Sequence, residues 1–249
     1  MNRAASISHP ASTAHALPAL TREQIAQLVA SDIPDGSIVN LGIGMPTGVS
    51  DYLPPDREIV LHSENGILGM GQAAVGESID LDLINASRVP VTLMPGASIS
   101  EHTVSFAMMR GGHLDYTVLG GFQVASNGDL ANWLTQAEDA IPAVGGAMDL
   151  AIGARHVYVT MEHVTRDGQP KLLERCTYPL TGAGVVDRVY TDLAVLDIGA
   201  DGFVVHAMPD GISLPQLQAL TGAPLRCADH MLRIVCDAEG RASYTHAEA

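Results

Sequence analysis

The chain has 249 residues, 47 % of them apolar, which suits one sizeable α/β core in a single domain. Thirteen Lys and Arg face 28 Asp and Glu, and the resulting net charge of −15 repels nucleic acid and anionic membrane surfaces. Lys171 is the sole lysine, so an anionic ligand must be met by isolated guanidinium groups, backbone N–H dipoles or a partner chain.

The first 20 residues, rich in Ala, Ser, His and Pro, lack a basic start and a continuous apolar stretch, and are expected to form a disordered tail rather than a secretory signal. Thr21-Arg22-Glu23-Gln24 then reads as a capping box ahead of Ile25, Leu28 and Val29, and Asp32-Ile-Pro-Asp-Gly36 closes the helix. Strands are predicted at 37–41, 58–62, 91–94, 114–119, 156–161, 193–198, 202–206 and 231–235, and helices at 46–53, 100–109 and 214–220. The alternation predicts an α/β fold with a mixed, largely parallel sheet covered by helices, and a β-rich C-terminal part. The domain is expected over 21–240, with a flexible C-terminal tail at 241–249. No stretch approaches the roughly 20 apolar residues of a membrane span.

Cys176, Cys227 and Cys236 form no Cys-x-x-Cys pair, which fits reduced thiols in a cytoplasmic protein. The ten histidines include no His-Glu-x-x-His and none pairs with cysteine at zinc-finger spacing, so no metal site is expected.

Three glycine-rich segments compete for a ligand. Leu41-Gly-Ile-Gly-Met-Pro-Thr-Gly48 follows a strand like a dinucleotide fingerprint, but Thr47 stands where the last glycine belongs and Pro46 stiffens the turn. The second, Ser63-Glu-Asn-Gly-Ile-Leu-Gly-Met-Gly71, puts one carboxylate where an apolar strand empties into a flexible turn, and Glu64 reads there as a nucleophile. In the third, Ala143-Val-Gly-Gly-Ala-Met-Asp149, paired glycines leave amides uncovered for a phosphate or a developing oxyanion, or simply make a tight turn. Ser63 lacks the flanking glycines of an esterase elbow, and Cys176 beside Arg175 reads as a buried cysteine more readily than as a thiolate.

Six blocks carry a resemblance: Asn40-Leu-Gly-Ile-Gly-Met-Pro46, Ser63-Glu-Asn-Gly66, Ser105-Phe-Ala-Met-Met-Arg-Gly-Gly-His-Leu-Asp115, Gly128-Asp-Leu-Ala-Asn-Trp133, Val144-Gly-Gly-Ala-Met-Asp-Leu150 and Cys176-Thr-Tyr-Pro-Leu-Thr-Gly182. In order and in register, they resemble the B subunit of 3-oxoacid CoA-transferases. The resemblance implies that Glu64 attacks an acyl-CoA thioester and carries CoA as a glutamyl thioester. It also implies that Gly145, Gly146 and Ala147, with Asn65 and Gly66, shape the oxyanion and CoA-binding pocket. The donor is then succinyl-CoA and the acceptor 3-oxoadipate or acetoacetate, with Tyr178 leaning the choice to 3-oxoadipate. CoA thioester is a substrate and no cofactor is permanently bound. A separate A subunit, in an A2B2 heterotetramer, completes the site. An acyl-CoA hydrolase using the same intermediate is the alternative, and a non-catalytic homologue is disfavoured by the intact Ser-Glu-Asn-Gly turn. Two positions depart from the family pattern, Ala143 for a common Gly and Val104 for a common Asp.

Overall fold

A computed structural model describes residues 17–137 and 139–246. The tail expected at 1–20 lies outside them up to residue 16, as do 247–249. Leu20 is buried and its N–H donates to the Asp192 carbonyl at 2.8 Å, so the last residues of the expected tail belong to the fold.

Helix α1 (Arg22–Asp32) starts at the predicted capping box: Thr21 Oγ1 accepts from Gln24 N–H at 3.2 Å, and Gln24 Oε1 accepts from Thr21 N–H at 2.9 Å. Then follow β1 (Ile38–Leu41), a 3-10 helix (Met45–Tyr52), β2 (Val60–Ser63), β3 (Ile67–Ala73), β4 (Val91–Ile99), α2 (His102–Arg110) and β5 (Tyr116–Gly120). The short strands β6 (Gln123–Ala125) and β7 (Leu130–Ala131) precede α3 (Ala147–Gly153), β8 (His156–Thr160) and β9 (Leu172–Leu173). The chain ends in β10 (Arg188–Tyr190), β11 (Val195–Gly199), β12 (Gly202–Pro209), α4 (Leu214–Ala219), β13 (Leu225–Cys236) and β14 (Ala242–His246).

Eleven strands make one sheet in the order β14-β13-β12-β11-β10-β8-β5-β1-β2-β3-β4, and β7-β6-β9 make a small second sheet. The centre, from β10 through β8, β5 and β1 to β2, is parallel. Both flanks turn antiparallel, at β2-β3-β4 on one side and β10-β11-β12 on the other. The β-rich C-terminal part is as expected, and within it β12 and β13 run parallel across α4. The sheet is therefore mixed, with its parallel pairing confined largely to the middle.

Two apolar clusters clasp the sheet. One joins Met109, Leu130, Leu172, Leu196, Phe203 and Leu217, and the other packs α1 through Ile25, Leu28 and Val29 onto Val39, Val118 and Tyr190. The expected flexible tail at 241–249 is corrected over 242–246, which pair with β13 from Cys236↔Ala242 to Leu232↔His246. Tyr244 fixes that strand further, because its hydroxyl donates to Asp32 on α1 at 3.0 Å.

Candidate active site

Glu64 opens the three-residue loop of the β2–β3 hairpin, whose last ladder pair is Ser63↔Ile67. Gly66 N–H donates to the Ser63 carbonyl at 2.9 Å and closes the turn. Gly66 itself has φ of +122°, and an added Cβ would run into the Ser100 carbonyl oxygen, so only glycine fits there. The turn that the sequence singled out is thus a rigid device at the C-terminal end of a parallel strand, where open α/β sheets hold their ligands.

A cavity of about 520 Å³ lies over this end of β2, β1, β5 and β8. Its wall includes Glu64, the β1 exit at Leu41, Gly42 and Ile43, and the loop Ala143 to Ala147. The three glycine-rich segments read as competitors therefore converge on one site. Residues 45–52 form a 3-10 helix rather than the α-helix expected at 46–53, so the first segment presents no α-helix N-terminus to a pyrophosphate.

Gly146 lies against the Glu64 side chain. An added Cβ there would fall into the Glu64 carboxylate and come within 3.3 Å of Phe106 Cζ. Among the described residues no hydrogen bond engages the N–H of Gly145 or Gly146, whereas the Ala147 N–H already donates to the Val144 carbonyl at 3.0 Å. Of the three loop residues, Gly145 and Gly146 keep donors for a ligand and Ala147 contributes wall. Asn65 and Gly66 lie off the cavity: the Asn65 amide donates to the Ile84 carbonyl at 2.7 Å, and Gly66 supports the turn from behind.

Burial holds the Glu64 carboxyl above the ordinary carboxylate range, His102 opposes that rise, and Asp149 adds to it. His102 stacks on Phe106 with ring centroids 4.4 Å apart, and Asp149 accepts from Arg110 Nε at 2.6 Å. Behind the turn, His62 is buried between Asn40 and Ser105, with its Nδ1 3.2 Å from Asn40 Nδ2 and its Nε2 2.9 Å from Ser105 Oγ. The Asn40 amide is a donor, so Nδ1 accepts and the Nε2–H donates to Ser105. Burial pushes the His62 pKa down to about 4, so a neutral imidazole braces β2 against β1 and α2. None of His62, His102, Phe106 or Asp149 stood out in the sequence as a site residue. A lone histidine on an apolar strand carries no signal of its own.

The rejected nucleophiles sit where their chemistry is poor. Ser63 is buried, with its Oγ accepting from Ala86 N–H at 2.9 Å. Burial, helped by Asp129, pushes the Cys176 thiol up to about 11.

Comparison with known proteins agrees with this geometry. The family described as Coenzyme A transferase matches residues 22–219. The B subunit of the 3-oxoadipate CoA-transferase of Acinetobacter baylyi is 56 % identical over 206 residues, covering 83 % of this chain and 95 % of that one. The B subunit of the succinyl-CoA:3-ketoacid coenzyme A transferase of Helicobacter pylori is 45 % identical over 202 residues, 81 % of this chain and 97 % of that one. Among solved structures, glutaconate coenzyme A-transferase from Acidaminococcus fermentans aligns with a TM-score of 0.62 at 19 % identity, over 85 % of this chain and 88 % of that one. An acyl-CoA transferase from Escherichia coli O157:H7 aligns with a TM-score of 0.65 at 18 % identity, over 86 % of this chain but 43 % of that one, so the chain spans less than half of its length. With a family match over most of its length and relatives well above 30 % identity, the chain belongs to the coenzyme A transferases and is of their B-subunit type.

Proposed function

We propose that the chain moves CoA from succinyl-CoA to a 3-oxoacid, 3-oxoadipate ahead of acetoacetate, through a glutamyl-CoA thioester on Glu64. The observation that carries this reading is the Glu64 carboxylate set against Gly146 in a 520 Å³ cavity, half-buried and without a hydrogen bond from any described residue. A carboxylate relieved of solvation is a better nucleophile than one in water, and a thioester needs no metal or Ser–His pair to be attacked.

Glu64 adds to the thioester carbonyl and expels CoA thiolate, leaving a mixed anhydride. The thiolate then attacks the Glu64 carbonyl, forming the glutamyl thioester and releasing the first acid as its carboxylate. An acceptor carboxylate runs the same steps backwards. The free N–H groups of Gly145 and Gly146 are suited to the tetrahedral oxyanions, and the scheme is ping-pong.

The 56 % identity to the B chain of a 3-oxoadipate enzyme, against 45 % to that of a 3-ketoacid enzyme, supports the ordering of acceptors. Both relatives are B subunits by name, which supports a separate A subunit, and the A2B2 assembly is the arrangement that the family resemblance implies. A partner also accounts for the scarcity of cations here, since CoA phosphates would draw on its side chains. A cytoplasmic setting rests on the unpaired cysteines.

The test is borohydride reduction of the reconstituted enzyme after succinyl-CoA, followed by peptide mass spectrometry. Conversion of Glu64 to its alcohol is expected, and Glu64→Ala should lose about 10⁴-fold or more in kcat. Absence of the reduced residue in a turning-over enzyme would overturn the reading, and release of free CoA without an acceptor would point to hydrolysis instead.

A further inference from the structure

Lys171, the sole lysine, lines the same cavity as Glu64 but from its other end. In the sheet β5 and β1 stand between β8 and β2, so three strand spacings of about 4.8 Å separate the two walls. Glu64 closes the β2 side. Lys171 hangs just beyond β8, with its N–H donating to the His163 carbonyl at 3.1 Å and its own carbonyl accepting from Val124 N–H at 3.1 Å. Both bonds fix the backbone. The next residue, Leu172, is fully buried in the core, and strand alternation sends the Lys171 side chain the opposite way.

That side chain is half-buried, yet its ammonium makes no hydrogen bond or ion pair with any described residue. Arg22 on the same wall is answered by Glu162 at 3.1 Å, and Asp192 is occupied by the His163 N–H at 2.7 Å. A desolvated cation without a partner is costly, and folds retain one when a ligand supplies the counter-charge. Burial draws the amine down from its ordinary range, and the nearby charges of Glu162 and Asp192 oppose that fall. Glu162 lines the same wall and is already paired with Arg22, so the Lys171 ammonium is left as a single unanswered positive charge there, matched by one carboxylate.

We propose that the Lys171 ammonium binds the distal carboxylate of a dicarboxylic acid whose other carboxyl group exchanges CoA at Glu64. Lys171 then separates dicarboxylic from monocarboxylic 3-oxoacids. The proposal rests on the transferase reading above. The cavity volume of about 520 Å³ exceeds what a six-carbon dicarboxylic acid needs and lies within the usual range for small-molecule sites.

The experiment compares 3-oxoadipate with acetoacetate as acceptors for the reconstituted enzyme, since kcat/KM for the acceptor of a ping-pong enzyme reports only the second half-reaction. Lys171→Met should reduce kcat/KM for 3-oxoadipate at least tenfold more than for acetoacetate, and Lys171→Arg should recover part of the preference. Glutamyl-CoA formed from acetoacetyl-CoA, which has no distal carboxylate, is followed by mass and checks that each variant is folded and accepts CoA. Equal losses on both acceptors would assign Lys171 to CoA phosphate or to the scaffold, and no loss would leave it without a ligand. Either result overturns the proposal. If the unaltered enzyme transfers CoA to neither acid, the functional reading itself fails, which is a different outcome from an active enzyme whose Lys171→Met variant keeps its preference.

Discussion

A carboxylate in water attacks thioesters poorly because its charge is already satisfied. Around Glu64 the solvent is partly replaced by Gly146, Phe106 and the cavity wall, and the carboxyl accordingly takes up protons more readily than usual. On the proposed mechanism the ionised form is the nucleophile, so activity should fall as pH drops through that raised pKa. Removing Asp149, which adds to the rise, should move the acid limb of the rate profile to lower pH, as should the Arg110 charge that Asp149→Asn sets free. Removing the opposing His102 with His102→Gln should move it to higher pH. Rates of glutamyl-CoA formation against pH measure both, and limbs that shift together would break the assignment. Gly146 gives a second handle. Its φ is −86°, which alanine adopts without strain, so Gly146→Ala acts by crowding Glu64 rather than through the backbone. A displaced nucleophile costs on the order of 10²-fold in kcat/KM, and the thermal midpoint of the variant should stay close to that of the parent.

At the scale of elements, the most constrained junction is Asp32 at the end of α1. Its Oδ2 accepts from Arg188 Nη1 at 2.9 Å, Tyr190 hydroxyl at 2.7 Å and Tyr244 hydroxyl at 3.0 Å, which ties α1 to β10 and β14. Asp32→Ala would leave Arg188 with Asp197 as its one carboxylate partner among the described residues, at a cost of about 3 kcal/mol, or a fall of roughly 10 °C in Tm. Calorimetry against Tyr244→Phe, which removes one hydroxyl and no charge, separates the charge from the hydrogen bond. This junction was invisible in the sequence because its members lie on three separate segments, and β14 itself reads as a polar chain end. Strands with uniform β-branched runs, such as β1, β8 and β12, were legible, and so was α1 with its capping box. Strand β3 was hidden by Gly69 and Gly71, where close contact with Ala97 and Thr92 of β4 leaves no room for a side chain. The turns that carry Glu64 and the Gly145–Gly146 pair onto one cavity were legible because turn chemistry is local. Lys171, His62 and His102 come near the cavity and the Glu64 turn only through the sheet order that brings distant segments together.

Taken whole, the molecule carries a charge of −15, and among the described residues two histidines are sealed in the interior. Acidification acts on both features, in opposite directions. Protonating surface carboxylates relieves repulsion, but those charges are spread out and screened over a Debye length of about 8 Å at physiological salt. His62 and His163 are not screened. His163 lies between the Thr191 and Thr221 hydroxyls at 2.9 Å each, and burial pushes the pKa of both histidines down to about 4 from 6.5. A neutral histidine in the fold that charges on unfolding contributes fully above pH 6.5, and the contribution is lost as pH falls towards 4. The shift corresponds to about 3 kcal/mol for each group, a large part of the 5–15 kcal/mol typical of a domain. The buried pair therefore outweighs the surface, and unfolding near pH 5 should take up about two protons, a slope of roughly 2.7 kcal/mol per pH unit. Urea titrations between pH 5 and 7 measure it directly. His163→Gln, which keeps a neutral polar side chain between the two threonines, should cut the slope by about half, and an unchanged slope would mean that the protons go elsewhere.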